Sequence, residues 1–163
     1  MRQELIEKSY KRILTLHPLL QASAFKCYDA CLTKDIPLYI VWARRTKQEQ
    51  DLLYRLGRDV PGEITTYSRS DLSPYCYGLA IDFCLYNDTL LYEWPQCENK
   101  KYWRWKWIKV QKVFEQDGWE SGWRWQNFQP GHLQNLLGKT LLEHKDEADK
   151  QSNQNRDHWG TYL

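Results

Sequence analysis

The sequence predicts an α+β domain, on three observations. Apolar residues recur at helical spacing in three long stretches. Two shorter runs carry strand-type residues bounded by turn residues, one of them entering a hairpin. The 163-residue length suits a single domain with a real core.

Leu5, Ile6, Tyr10, Ile13 and Leu14 fall on one face of a helix over 2–15. His17-Pro18 breaks it, and a second helix runs from 19 to 33 until Asp35 and Pro37. Leu38-Tyr39-Ile40-Val41-Trp42 reads as a buried strand. Thr46 is the expected N-cap of a helix over 47–56, with Glu49 completing a capping box and Gly57 at the far end. A polar loop with Pro61-Gly62 leads to a strand over 79–86. Asn87-Asp88 then turns the chain into a hairpin partner over 89–92.

Residues 94–101 read as a connection. Trp103, Trp107, Val110 and Phe114 line one face of a third long helix that Gly118 stops. Residues 119–134 are Trp-rich and irregular, with a last strand over 131–134. Leu136, Leu137, Leu141 and Leu142 suggest a short helix, and the polar stretch 143–156 a solvated helix fading into a tail. The expected division is a domain over 1–134 and a polar C-terminal extension over 135–163.

Nine Trp and eleven Tyr supply much of the apolar content, and large rings need few copies to fill a core. A formal charge of +2 gives no strong pull toward nucleic acid or membrane. Lys100, Lys101, Arg104, Lys106 and Lys109 interleave with tryptophans, but Glu93, Glu98 and Glu115 flank them. That balance argues against a nucleic-acid surface. No signal peptide or spanning run is visible, so the expectation is cytoplasmic synthesis, with incorporation into a virion as one destination. Five cysteines form no C-x-x-C pair; Cys27 and Cys31 share a helical face and read as buried thiols.

The stretch Ser73-Pro74-Tyr75-Cys76-Tyr77-Gly78-Leu79-Ala80-Ile81-Asp82 is the most informative in the chain. It resembles S-x-H-x-x-G-x-A-x-D, the first metal-binding signature of the D-alanyl-D-alanine carboxypeptidase and L-alanyl-D-glutamate endopeptidase family (VanY-like enzymes and many phage endolysins). Further similarities surround it. Leu16-His17-Pro18 resembles the family's early L-x-P. Arg45-Thr46, Glu49-Gln50, Leu53-Tyr54 and Gly57-Arg58 resemble R-[TS]-x-x-E-Q-x-x-L-Y-x-x-G-R. Gly118-Trp119-Glu120, Gly122, Trp125 and Phe128 resemble the approach to the last ligand, and His132-Leu133-Gln134 the closing P-H-F-Q.

The resemblance implies a VanY-like/Hedgehog-type peptidase fold, with a small antiparallel sheet carrying the site and helices packed against its other side. It also implies zinc held by one Asp and two His, with a carboxylate three residues before the last His as general base. Asp82 and His132 keep two ligand positions, Tyr75 replaces the third ligand, and Gln129 replaces the base. In the family's G-G-D-W position stands Gly122-Trp123-Arg124-Trp125.

A tyrosine ligand must shed a proton of intrinsic pKa about 10, and a carboxamide is not basic. Loss of a general base costs roughly 10²–10⁴ in rate. Cys76 could serve as a soft ligand only after a register shift, because neighbours on an extended segment point apart. Glu120 and Glu93 lack the spacing of the missing base. Asp82 and His132 could instead hydrogen-bond each other.

Arg45 and Gln50 would line the cleft with Tyr75, Trp123, Arg124 and Trp125, the arginine meeting a ligand carboxylate. Arg45 and Gln50 could equally be solvating a helix start. Trp123 and Trp125 could rim a groove. The sequence therefore reads as a degenerate, peptidoglycan-peptidase-like protein with no resident cofactor, holding a protein partner or a peptidoglycan fragment, with a phage virion or tail as its expected setting. The alternative is an active zinc peptidase with rearranged ligands.

Overall fold

The structure, a computed structural model, describes residues 2–87, 92–93 and 100–159; for 92–93, 100–103 and 153–159 it describes the backbone alone. The order is α1 (Arg2–Ile13), α2 (Pro18–Thr33), β1 (Leu38–Trp42), α3 (Lys47–Arg55), β2 (Ala80–Tyr86), β3 (Tyr92–Glu93), α4 (Lys100–Glu115), β4 (Glu120–Ser121), β5 (His132–Gln134) and α5 (Leu141–Trp159). Short 3₁₀ turns occupy Ser70–Leu72, Pro74–Tyr77 and Gly122–Arg124.

Among the described residues, five antiparallel strands form one sheet in the order β1-β2-β5-β4, with β3 also paired to β2. The chain is thus α+β, as the sequence predicts. In β2, Ile81, Phe83 and Leu85 are fully buried, and the Phe83 ring packs 4.9 Å from Trp107 of α4. Asp82 belongs to the alternate face and is half-buried. Trp107, Val110 and Phe114 lie in the core as their spacing requires; the Trp103 side chain falls outside the described residues.

Burial pushes the Cys27 thiol up to about 11 and the Cys31 thiol to about 12, as expected of inert core cysteines. The Thr46–Glu49 capping box is complete, with Glu49 N–H donating to Thr46 Oγ1 at 3.1 Å and Thr46 N–H to Glu49 Oε2 at 2.7 Å.

Three expectations need correction. The hairpin partner of β2 includes Tyr92–Glu93, paired with Tyr86 and Leu85; residues 88–91 lie outside the described residues. The irregular stretch contains β4, which pairs Glu120 with Gln134. Leu136 and Leu137 do not enter the final helix. Leu137 (φ 54°) and Gly138 (φ 73°) turn the chain first, and Thr140 then caps α5 through Glu143. That helix is 19 residues long rather than short. It packs back on the Ser70–Leu72 turn, with His144 buried against Leu136 and Tyr77.

Candidate functional site

The β2–β5 register sets Asp82 directly opposite His132. Cross-strand neighbours on one face meet side chain to side chain. A bulge in β1 between Ile40 and Trp42 brings Trp42 level with Asp82 on the other flank and re-aims the chain toward Arg45.

Tyr75 comes from the 3₁₀ turn over Pro74–Tyr77, which Gly78 closes at φ +69°. A β-carbon on Gly78 would lie 2.7 Å from the His17 nitrogen. The same backbone contact, His17 N–H to Gly78 carbonyl at 2.9 Å, ties Leu16-His17-Pro18 to this turn. Gly122 plays a matching role under His132, since a β-carbon there would stand 2.6 Å from the Gln129 carbonyl.

The oxygen that both Asp82 and His132 touch belongs to Tyr75. Its hydroxyl donates to Asp82 Oδ1 and lies 2.7 Å from His132 Nδ1. Asp82 Oδ1 and His132 Nδ1 themselves stand 3.4 Å apart. The expected Asp82–His132 link therefore runs through a phenol. Burial first, then the charge of Asp82 and the hydrogen bond to it, hold the Tyr75 phenol well above its ordinary pKa; Arg45 opposes them weakly.

Arg45 lies over the Tyr75 ring, 3.9 Å from its centroid, and over Trp42 at 5.5 Å. It donates to Gln50 Oε1 at 3.1 Å and to Asp82 Oδ2 at 3.4 Å. Gln50 is buried and donates to the Ser68 carbonyl at 2.8 Å, so it fixes Arg45 to the 66–68 loop. On the other side, Trp125 packs 4.9 Å from the His132 ring. Its indole N–H donates to Glu120 Oε1 at 2.6 Å, and Gln134 Nε2 donates to Glu120 Oε2 at 2.8 Å. With its nitrogen so committed, Gln134 presents its oxygen to His132 Nε2 at 3.1 Å.

Arg45, Tyr75, Asp82, Trp125, His132 and Gln134 line a cavity of about 550 Å³ that also takes in Gln129 and the hydroxyls of Thr65, Thr66 and Ser73. Arg45, Tyr75, Asp82, Trp125, Gln129 and His132 are brought together, with Gln50 behind them. Trp123 and Arg124 are not. The 3₁₀ turn over Gly122–Arg124 sends Trp123 against Phe128 (5.1 Å) and Arg124 out to Glu115 (3.2 Å). Gln134 and Glu120 appear in the sequence motifs, but their place beside His132 and Trp125 was not foreseen. A period-two reading of the last strand would have found Gln134, two residues beyond His132 on the same face.

The chain belongs to the D-alanyl-D-alanine carboxypeptidase and L-alanyl-D-glutamate endopeptidase family. Residues 66–135 match the family profile described as D-alanyl-D-alanine carboxypeptidase. Over 114 residues the chain is 33% identical to the peptidoglycan L-alanyl-D-glutamate endopeptidase CwlK of Bacillus subtilis, covering 69% of this chain and 68% of the relative. The fold is similar to the L-Ala D-Glu endopeptidase ChiX of Serratia marcescens (TM-score 0.54, 16% identity, 79% of this chain and 86% of that one). It is also similar to the LD-carboxypeptidase LdcB (TM-score 0.53, 15% identity, 82% and 64%).

Peptidases of this family depend on zinc, and the residues here meet that requirement only in part. Two donors about 2.0–2.1 Å from a tetrahedral ion stand ~3.3 Å apart, close to the Asp82–His132 separation. The third position does not fit: it offers a buried phenol that keeps its proton and sets its oxygen between the other two donors. Cys76 does not replace it. It sits on the 3₁₀ turn rather than an extended segment, and its thiol turns away to the Thr46 carbonyl, 3.9 Å off. Among the described residues, no three His, Cys, Asp or Glu side chains gather as a ligand set.

Proposed function

We propose that this chain is a catalytically degenerate member of its family, retaining the cleft as a binding surface for a peptidoglycan fragment or a protein partner. The observation that carries the proposal is the Tyr75 hydroxyl held between Asp82 and His132. It fills the space between two donors with a neutral group, and Gln129 supplies no basic atom at the cleft. What survives is recognition chemistry: the Arg45 guanidinium, the Trp125 ring, and hydroxyl and amide groups around the rim. A place near the cell wall, as a phage virion or tail component, is part of the same proposal.

The test is titration of purified protein with a peptidoglycan stem peptide, followed by chromatography of the mixture. Saturable binding without cleavage, weakened in Arg45→Ala, is expected. Release of cleaved peptide, with or without added zinc, would overturn the proposal.

A further inference from the structure

A second cavity, of about 580 Å³, lies between α5 and the segment that follows β1, with His17 in its lining. We propose that it is an oxyanion site, meeting the cleft only at Arg45, that takes a phosphate- or sulfate-type dianion and clamps α5 to the body of the domain.

Three parts of the chain line this cavity. Arg44 lines the cavity and has no carboxylate partner among the described residues. His17 uses Nδ1 to accept from the Leu19 N–H, at 3.4 Å, which leaves its Nε2–H as a donor. Across from them stands His144 of α5, whose Nε2–H donates to the Leu136 carbonyl at 2.9 Å.

The acids along the same walls are already committed. Glu49 closes the Thr46 cap, so the N-terminus of α3 is not the anchor. Glu147 takes Lys139 on both oxygens, at 2.7 and 2.9 Å. Lys47 is paired with Asp71 at 3.0 Å, and Arg45 with Asp82. The uncompensated remainder is the Arg44 guanidinium with the His17 Nε2–H, a cation and a neighbouring donor that match a compact dianion. Because α5 supplies one wall, a bound dianion would join it to the domain.

The groups facing His17 are His144 and Glu147 from α5, Lys139 from the turn before it, and Arg44. Burial first, then the positive charges of His144, Lys139 and Arg44, hold His17 below its ordinary range, with Glu147 opposing. A dianion beside it opposes that lowering; the proton His17 then takes up goes on Nδ1, in exchange for the long Leu19 N–H contact, so binding tightens as pH falls.

Sulfate is the probe, because its charge is constant over this range. Calorimetric titration should show saturable sulfate binding that strengthens several-fold from about pH 8 to about pH 6. Inorganic phosphate should compete and acetate should not. Hydrogen exchange should slow over residues 141–151 when sulfate is present. The double variant Arg44→Gln with His17→Asn keeps a capping acceptor at position 17 and should lose roughly tenfold or more in affinity, together with the added exchange protection. Equal binding by the variant and the parent would overturn the proposal. So would slowing reproduced by chloride at matched ionic strength, which would reduce the effect to screening. Equal binding of acetate would refute the dianion assignment.

Discussion

The Tyr75 hydroxyl lies 2.7 Å from His132 Nδ1 while donating to Asp82, so one phenol joins two side chains from neighbouring strands. Removing that oxygen leaves buried polar atoms facing a hole. Tyr75→Phe should therefore lose about 1–3 kcal/mol in denaturant unfolding, the range for orphaning buried hydrogen-bonding groups. An unchanged midpoint would mean that the bridge holds nothing together.

Gly78 is required twice over, by its left-handed backbone and by the His17 nitrogen packed against it. Gly78→Ala should destabilise the protein by about 1–3 kcal/mol or more, since strain and close contact act together. Thermal unfolding of the variant measures this. Gly138→Ala is the control: it shares the positive φ but has open space around it, and should cost less.

Asp117 ties the end of α4 to α2 through Lys26 and Ser23. The hydrogen bond from Lys26, then that from Ser23, holds its carboxyl below the ordinary range. A depressed folded-state value means that the unfolded chain binds the proton more readily. The contribution is thus present above the unfolded pKa and is lost as pH falls through the folded one. Asp117→Asn should flatten the acid limb of a stability–pH curve, and it also removes the alkaline contribution of Lys26, whose ammonium Asp117 holds above its ordinary range. An acid limb identical to the parent's would contradict the assignment.

The Thr46 cap carries α3, whose first turn sets Gln50 behind Arg45. Thr46→Ala should cost about 0.5–2 kcal/mol. It should also loosen Arg45, which is visible as weaker binding of any carboxylate ligand in the cleft.

Much of this arrangement is legible in the sequence, for identifiable reasons. Leu38–Trp42 is a continuous apolar run, Ala80–Tyr86 is apolar apart from Asp82, and Thr46–Glu49 is a capping box, so local chemistry alone places β1, β2 and α3. The positions of Tyr75, Asp82 and His132 follow from motif spacing, but their contact does not. It needs the β2–β5 register, and β5 is only three residues long. Two-residue β4 has no period to detect, so the bond from Gln134 to Glu120 was invisible. Trp123 and Trp125 look equivalent in the chain. The intervening 3₁₀ turn sends one to Phe128 and the other to His132. His144 reads as a tail residue because its burial depends on α5 folding back.

The most direct measurement is zinc content after loading and dialysis, made on the natural chain and on Tyr75→His with Gln129→Asp. Asp82 and His132 already stand at a ligand–ligand spacing, so the double variant should retain near-stoichiometric zinc while the natural chain retains little. Firmly held, near-stoichiometric zinc in the natural chain would contradict the claim that the Tyr75 phenol has closed this site to metal.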